Sequence, residues 1–270
     1  MPLADRFDGF LIDLDGVVWI GREPVPGSAE TLATLLAAGK QIAFVTNNPG
    51  REPAAYAERL ASIGVEVGPE RIVTAGIVAA RLAAGAAGKA GPVFVIGAPA
   101  LKRLVEAEGT RVVGVDEAAG AAAVLVSGHR DFDYAELAAA KRALDAGAAL
   151  FATSRDPTLP MPGGELPGTG AVLAAVETAS GRRAEIGGKP ERHLFELALA
   201  AIGDAERVAM VGDRLSSDIA GGHAAGLETI LVLSGTSGTS GEGGGGSEDL
   251  ASADPAPDFV VADLAALLSG

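Results

Sequence analysis

Two carboxylates one residue apart, Asp13 and Asp15, stand in the run FLIDLDGVVW from Phe10 to Trp19. An apolar run of this kind reads as a buried strand, and a charge leaving water there is costly unless something pairs with it. Two further acids, Asp213 and Asp218, stand in VGDRLSSD; TNN (Thr46 to Asn48) closes QIAFVT; and GGKP presents Lys189 just ahead of a helical pattern. In open parallel sheets ligands gather at the carboxyl ends of the strands. Residues ending these strands would therefore bring four acids, a hydroxyl, an amide and a lysine to one rim. Four converging carboxylates cannot all stay ionised without a counter-charge, and an oxygen-only cluster without histidine suits Mg²⁺. Because Mg²⁺ commonly combines one or two carboxylates with a substrate phosphate oxygen, a phosphoryl compound is the natural ligand. Thr46 and Lys189 then serve as donors to its oxygens.

Each piece has an ordinary reading of its own. An isolated Asp-x-Asp is often a solvated strand-end turn, TNN is a turn signal, GKP a loop lysine, and GDRLSSD an Asp-capped helix start. Their chain order and shared strand-end placement favour the joint reading.

The elements that must position these residues follow a βα alternation. FLIDL precedes a helix near Ser28 to Ala38, stopped by Gly39, and QIAFVT (41–46) precedes a helix opened by Pro53 and closed by Gly64. Apolar strands follow at 93–96, 123–126 and 149–153, separated by Ala-rich helices. The last third supplies RVAMVGD (207–213), ETILVL (228–233) and DFVVADL (258–264). Strands alternating with helices imply a parallel sheet. The Gly/Ser-rich stretch 235–248 has nothing apolar to pack, reads as a mobile loop, and carries no chemistry. The Ala-rich segments around 79–90 and 118–125 read as helix and core filler. For Trp19, the only tryptophan, packing beneath a second domain and touching substrate both stand open.

Composition narrows the classes. The chain has 270 residues, 48% of them hydrophobic, enough for a sizeable core or for a core with an inserted domain. No uncharged apolar run reaches membrane length, and MPLADRFDG carries charges where a signal peptide needs an apolar centre, so a soluble cytoplasmic protein is expected, with no membrane partner. The absence of cysteine rules out disulfides and thiolate metal sites, and three histidines make zinc improbable. A net charge of −14 argues against a nucleic-acid partner. An anionic substrate would need a bound cation to reverse the field locally.

These motifs in this order resemble the haloacid dehalogenase superfamily of phosphatases: DLDGVV its first motif, FVTNN its second, GGKP its third, VGDRLSSD its fourth. Thr46 follows Asp15 by 31 positions, too few for an inserted domain, whereas Lys189 follows Thr46 by 143. The excess places an α/β cap between the second and third motifs, the arrangement of class IIA, and PGTG and ETASGR near the cap exit are similar to that branch. The resemblance implies a Rossmann-like parallel-sheet core at 1–78 and 185–270 and a class II cap at 79–184. It also implies a Mg²⁺-dependent phosphatase acting on small phosphomonoesters such as glycerol phosphate, phosphoglycolate, sugar phosphates, pyridoxal phosphate or p-nitrophenyl phosphate. A NagD-type nucleotide monophosphatase is the alternative. A phospho-acceptor module is opposed by the length and by the spaced acid pair, and a phosphate-binding protein by the absence of a Gly-rich phosphate loop.

Carried over residue by residue, the resemblance implies Asp13 as nucleophile forming an aspartyl-phosphate and Asp15 as general acid and base. Thr46, Asn47 and Lys189 would hold the phosphoryl group. Mg²⁺ would be held by Asp13, the Asp15 backbone carbonyl, Asp213 and Asp218. The family suggests a homodimer through the cap. This chain departs from the pattern at Ser216 and Ser217 in the fourth motif and at TSRD in the cap. Substrate choice is expected to rest on His129, Arg130, Arg155, Asp156 and Leu159.

Overall fold

The structure is a computed structural model and describes residues 1–88, 91–161, 164–235, 250 and 253–269. In chain order the strands and helices begin with β1 (Gly9–Asp13), the hairpin β2 (Trp19–Ile20) and β3 (Glu23–Pro24), α1 (Ser28–Ala37), β4 (Gln41–Thr46), α2 (Pro53–Ser62) and β5 (Ile72–Thr74). They continue with α3 (Ala75–Ala87), β6 (Val93–Ile96), α4 (Pro99–Ala107), β7 (Val112–Val113), β8 (Ala123–Val126), α5 (Tyr134–Asp145) and β9 (Ala149–Ala152). Next come the hairpin β10 (Thr158–Met161) and β11 (Gly164–Pro167), α6 (Thr169–Ser180), β12 (Glu185–Ile186) and α7 (Arg192–Ile202). The chain closes with β13 (Val208–Gly212), α8 (Ala220–Ala224), β14 (Glu228–Val232) and β15 (Phe259–Val261).

Two compact units result. The first comprises Met1–Thr46, Pro53–Val73 and Lys189–Gly270, the second Asn47–Glu52 and Thr74–Gly188. The boundary expected at 78/79 falls inside α3, and β12 pairs with β9 in the second unit's sheet.

The first unit is built on a sheet in the order β15-β14-β13-β1-β4-β5, in which β15 through β4 run parallel. Its central strand, GFLID, is buried along its whole length, as expected of a strand covered on both faces. Register sets the rim. Ile12 lies opposite both Phe44 and Val211, and Asp13 opposite Val45. Asp13, Thr46 and the residue following Gly212 therefore end their strands at one level.

The second unit carries a parallel sheet in the order β12-β9-β8-β6-β7. Successive side chains alternate between its faces. Val93, Val95, Ala123 and Leu125 pack with Ala79, Ala80 and Ala83 of α3 and Leu101 and Val105 of α4. Phe94, Ile96, Val124 and Val126 pack with Ala139, Ala140 and Ala143 of α5 and Val172, Leu173 and Val176 of α6. The Ala-rich α3 segment is thus core, its small side chains allowing close approach: a β-carbon on Gly187 would meet the Ala79 backbone. Among the described residues no helix is long and apolar enough to cross a membrane.

Candidate active site

Four elements of the first unit converge on the rim. β1 ends in Asp13, β4 in Thr46, and β13 delivers Asp213 as the next residue. Asp218 rides on a five-residue π-helical turn, Leu215–Ile219, a wide turn of the kind often found at functional sites. Its Oδ2 accepts the Arg214 backbone N–H at 3.1 Å, which fixes the carboxylate against its own loop. Lys189 sits two residues before the end cap of α7 and donates through Nζ to Asp13 Oδ1 and, at 2.6 Å, to Asp218 Oδ1. Asp13, Lys189, Asp213 and Asp218 are 5%, 4%, 2% and 1% exposed.

Three glycines make room for this crowding. Gly16 has φ +94°, a backbone favouring glycine, and a β-carbon there would run into the Asp213 carboxylate. A β-carbon on Gly235 would strike the same carboxylate, and one on Gly212 would strike Asp218. The Ser234 hydroxyl donates to the Gly16 carbonyl at 2.8 Å, joining the residue after β14 to the loop after β1. Gly235 opens the stretch expected to carry no chemistry, yet it borders an acid of the site. Residues 236–248 of that stretch lie outside the described residues.

The cluster is crowded with like charge. Three buried carboxylates crowd beside one buried lysine. Burial pushes the Asp13 carboxyl well above the ordinary range; Lys189 opposes that shift, and the charges on Asp218, Asp213 and Asp15 add to it. Burial alone would pull the Lys189 ammonium down, but Asp13 and Asp218 together raise it, so it stays charged. One carboxylate oxygen from each of Asp13, Asp213 and Asp218 lies within 4.8 Å of the others, an all-oxygen donor set suited to a hard dication.

Asp15 differs in kind. It is exposed, follows the end of β1, and its Oδ1 accepts the Trp19 indole N–H at 3.0 Å. Trp19 itself is buried. Sequence reasoning linked neither Trp19 to the acid nor Gly16 and Gly235 to Asp213. The spacing of Asp15 and Trp19, four residues through a glycine, is the signal that could have suggested a closed loop.

In the second unit Asn47, the residue after Thr46, donates from its side-chain amide to Asp156 Oδ2 at 3.2 Å. Arg155 is committed elsewhere. Its guanidinium grips Glu177 of α6 through both nitrogens, at 3.0 and 3.1 Å, and donates to the Ala184 carbonyl. Glu177 also accepts from Arg183 and from the Ala184 N–H. Burial would raise its carboxyl, but these donors hold it below its ordinary value. His129 Nε2 is 2.8 Å from Glu136, and its ring meets Phe132 edge to face. Arg130 is exposed, and Leu159 lies on β10. Between these loops Ser127, Thr153 and Thr169 form a buried hydroxyl cluster at 3.2 to 3.5 Å.

Residues 10–111 match the family described as haloacid dehalogenase-like hydrolase, and 186–267 match the HAD-hydrolase-like family. Human chronophin is 41% identical over 245 residues, covering 86% of this chain and 83% of that protein. The chain belongs to the haloacid dehalogenase-like hydrolases. Within them it falls in the class IIA phosphatase branch. Glycerol-3-phosphate phosphatase of Gallus gallus is 38% identical over 284 residues, covering 97% of this chain and 91% of the relative. The crystal structure of glycerol phosphate phosphatase from Mycobacterium tuberculosis in complex with magnesium superposes with a TM-score of 0.88 at 35% identity, over 100% of this chain and 78% of that one. This phosphatase thus has an α/β parallel-sheet core of the family type.

Proposed function

We propose that this phosphatase hydrolyses small phosphomonoesters with Mg²⁺ as cofactor, through an aspartyl-phosphate on Asp13. The observation that carries the reading is the set of three buried carboxylates, with oxygens close enough to share one ion, at the carboxyl rim of the first sheet. Asp13, Asp213, Asp218 and the Asp15 backbone carbonyl would hold the ion. When bound, Mg²⁺ would offset the charge of these carboxylates and polarise a phosphoryl oxygen.

The remaining chemistry belongs to the chain. Asp13 is the nucleophile: its carboxylate oxygen forms a bond to phosphorus as the bond to the leaving oxygen breaks, and Asp15 gives that oxygen its proton. The Asp15 carboxylate then takes a proton from water, whose oxygen attacks phosphorus. The acyl-phosphate bond breaks, inorganic phosphate leaves, and Asp13 is restored. Thr46, the Asn47 backbone and Lys189 hold the transferring group, where preorganised donors stabilise developing charge. The hydrogen bond from Lys189 to Asp13 supports this role, since it places the ammonium beside the nucleophile.

The second unit is the cap, and we assign it the discrimination among leaving groups. Its recognition candidates are Asp156, anchored to Asn47, the exposed Arg130, and His129 and Leu159, with Arg155, whose fork is occupied by Glu177, shaping the loop that carries Asp156. An alkyl phosphate of glycerol phosphate size is the proposed substrate class, supported by the named relatives. We place the enzyme in the cytoplasm, as a dimer through the cap, without nucleic-acid or membrane partners. Phosphate release from a panel of alkyl, aryl and nucleoside phosphates, with Mg²⁺ and with chelator, tests the reading. Activity on an alkyl phosphate that disappears with EDTA and returns with Mg²⁺ supports it; full activity in chelator overturns it.

A further inference from the structure

Trp19 was open to two readings, packing and substrate contact, and its surroundings fit a third. The ring is 1% exposed within the first unit's core, beside Leu14, Val17 and Val18. It stacks with Tyr56 at an interplanar angle of 3°, and the Arg59 guanidinium lies 3.8 Å from its centroid. Arg59 in turn donates to the Gly21 carbonyl at 2.7 Å, fastening the hairpin that begins with Trp19. The backbone closes the loop as well: Trp19 N–H donates to Leu14 O, and Gly16 N–H to Trp19 O. A phenylalanine could occupy such a stack. What it could not supply is the indole N–H, a donor with no acceptor capacity that a buried tryptophan must satisfy. Its partner is the exposed Asp15 Oδ1 at 3.0 Å.

We propose that Trp19 is the positioning residue for the Asp15 acid and base, fixing the carboxyl in its loop and assigning its two oxygens different tasks. This rests on the role given to Asp15 above. A carboxyl oxygen that accepts the indole N–H serves best as the carbonyl-type oxygen, which leaves Oδ2 to carry the proton delivered to the leaving group. The donor cannot swing away, because stack, cation and backbone bonds hold the ring. A catalytic group held by a locked neighbour reaches productive geometry more often than one free to rotate, and small misplacements in such sites are costly in rate.

Because Trp19 is the only tryptophan, growth of a tryptophan auxotroph on benzothienylalanine replaces this N–H by sulfur and alters nothing else in the chain. The comparison is kcat/KM, which reports formation of the aspartyl-phosphate, for the best alkyl phosphate of the panel and for p-nitrophenyl phosphate. An alkoxide needs the proton; p-nitrophenolate hardly does. The analogue protein, and separately Trp19→Phe, should lose about 10- to 100-fold on the alkyl ester and far less on the aryl ester. Asp15→Asn should show the same discrimination more strongly, and Trp19→Phe should add nothing in that background. Equal losses on both esters, or none, in the analogue protein overturn the inference while leaving a discriminating Asp15→Asn to support the acid. Should Asp15→Asn itself fail to discriminate, the acid assignment falls and the inference with it.

Discussion

The two units each contain a knot of charges, and the knots are built on opposite principles. In the first unit Asp13, Asp213 and Asp218 are nearly sealed from water beside a single buried lysine, Lys189. In the second, Glu177 is 9% exposed but satisfied by two arginines and a backbone N–H, and those arginines reach out to water. A protein seeking only stability would not crowd three acids together out of water, since taking charges out of water is costly. It would build the second. The contrast separates a carboxylate cluster suited to a dication from a clamp of matched charges, and Arg155 takes part in the clamp through Glu177.

The largest effect should come from Asp13→Asn. An amide lacks the charge and the nucleophilic oxygen, so Mg²⁺-supported phosphate release should fall by about 10⁴-fold or more, with unchanged circular dichroism. Glu177→Gln should leave turnover of p-nitrophenyl phosphate close to wild type. If both variants lost activity alike, the two knots would not differ as described.

Metal binding sharpens the contrast further. Mg²⁺ at a hundred times its dissociation constant should stabilise the wild type by about 2.7 kcal/mol, seen as a rise in Tm. Asp213→Asn should abolish that rise, and Glu177→Gln should preserve it. Gly235→Ala tests the crowding around the same acid: its β-carbon would displace Asp213, and Mg²⁺ affinity by calorimetry should drop about 10- to 100-fold, the scale seen when residues supporting metal ligands are changed.

The smallest effect concerns the clamp. Removing the Glu177 carboxylate should lower stability by about 1–3 kcal/mol in denaturant unfolding at neutral pH. The pH dependence has a definite sign. Because the folded carboxyl lies below its ordinary value of 4.5, its contribution is fully present above that value and fades as pH falls through the lower folded one. The gap between wild type and Glu177→Gln should therefore close in acid. A gap that widened there would mean the carboxyl is not held ionised by its arginines.

Much of this was readable from the chain because the site lies on long, apolar strands. GFLID, QIAFVT and VAMVG show their ends plainly, and residues at parallel strand ends must share a rim whatever the loops do. Elements of two residues, such as β7, β12 and the β2–β3 hairpin, are too short to display any period. The β10–β11 hairpin is hidden by the prolines in TLPM and GELP. DFVVADL was expected to be a strand through Leu264, but the strand ends at Val261. Asp263 caps a 3₁₀ turn, Leu264–Leu268, by accepting the Ala266 N–H, a local bond that outweighs the apolar run. The indole of Trp19 and the glycines against Asp213 were unreadable for another reason. A hydrogen bond to an exposed acid and a missing β-carbon leave no mark in hydrophobic periodicity.

On this reading the buried acid cluster lets Asp13 accept a phosphoryl group. Rapid acid quench of the enzyme during turnover of a labelled phosphomonoester with Mg²⁺, followed by proteolysis and mass spectrometry, tests this directly. A phosphoryl adduct is expected on the peptide containing Asp13, absent with EDTA and absent in Asp13→Asn. Steady release of phosphate with no adduct at Asp13, or an adduct on another residue, would contradict it.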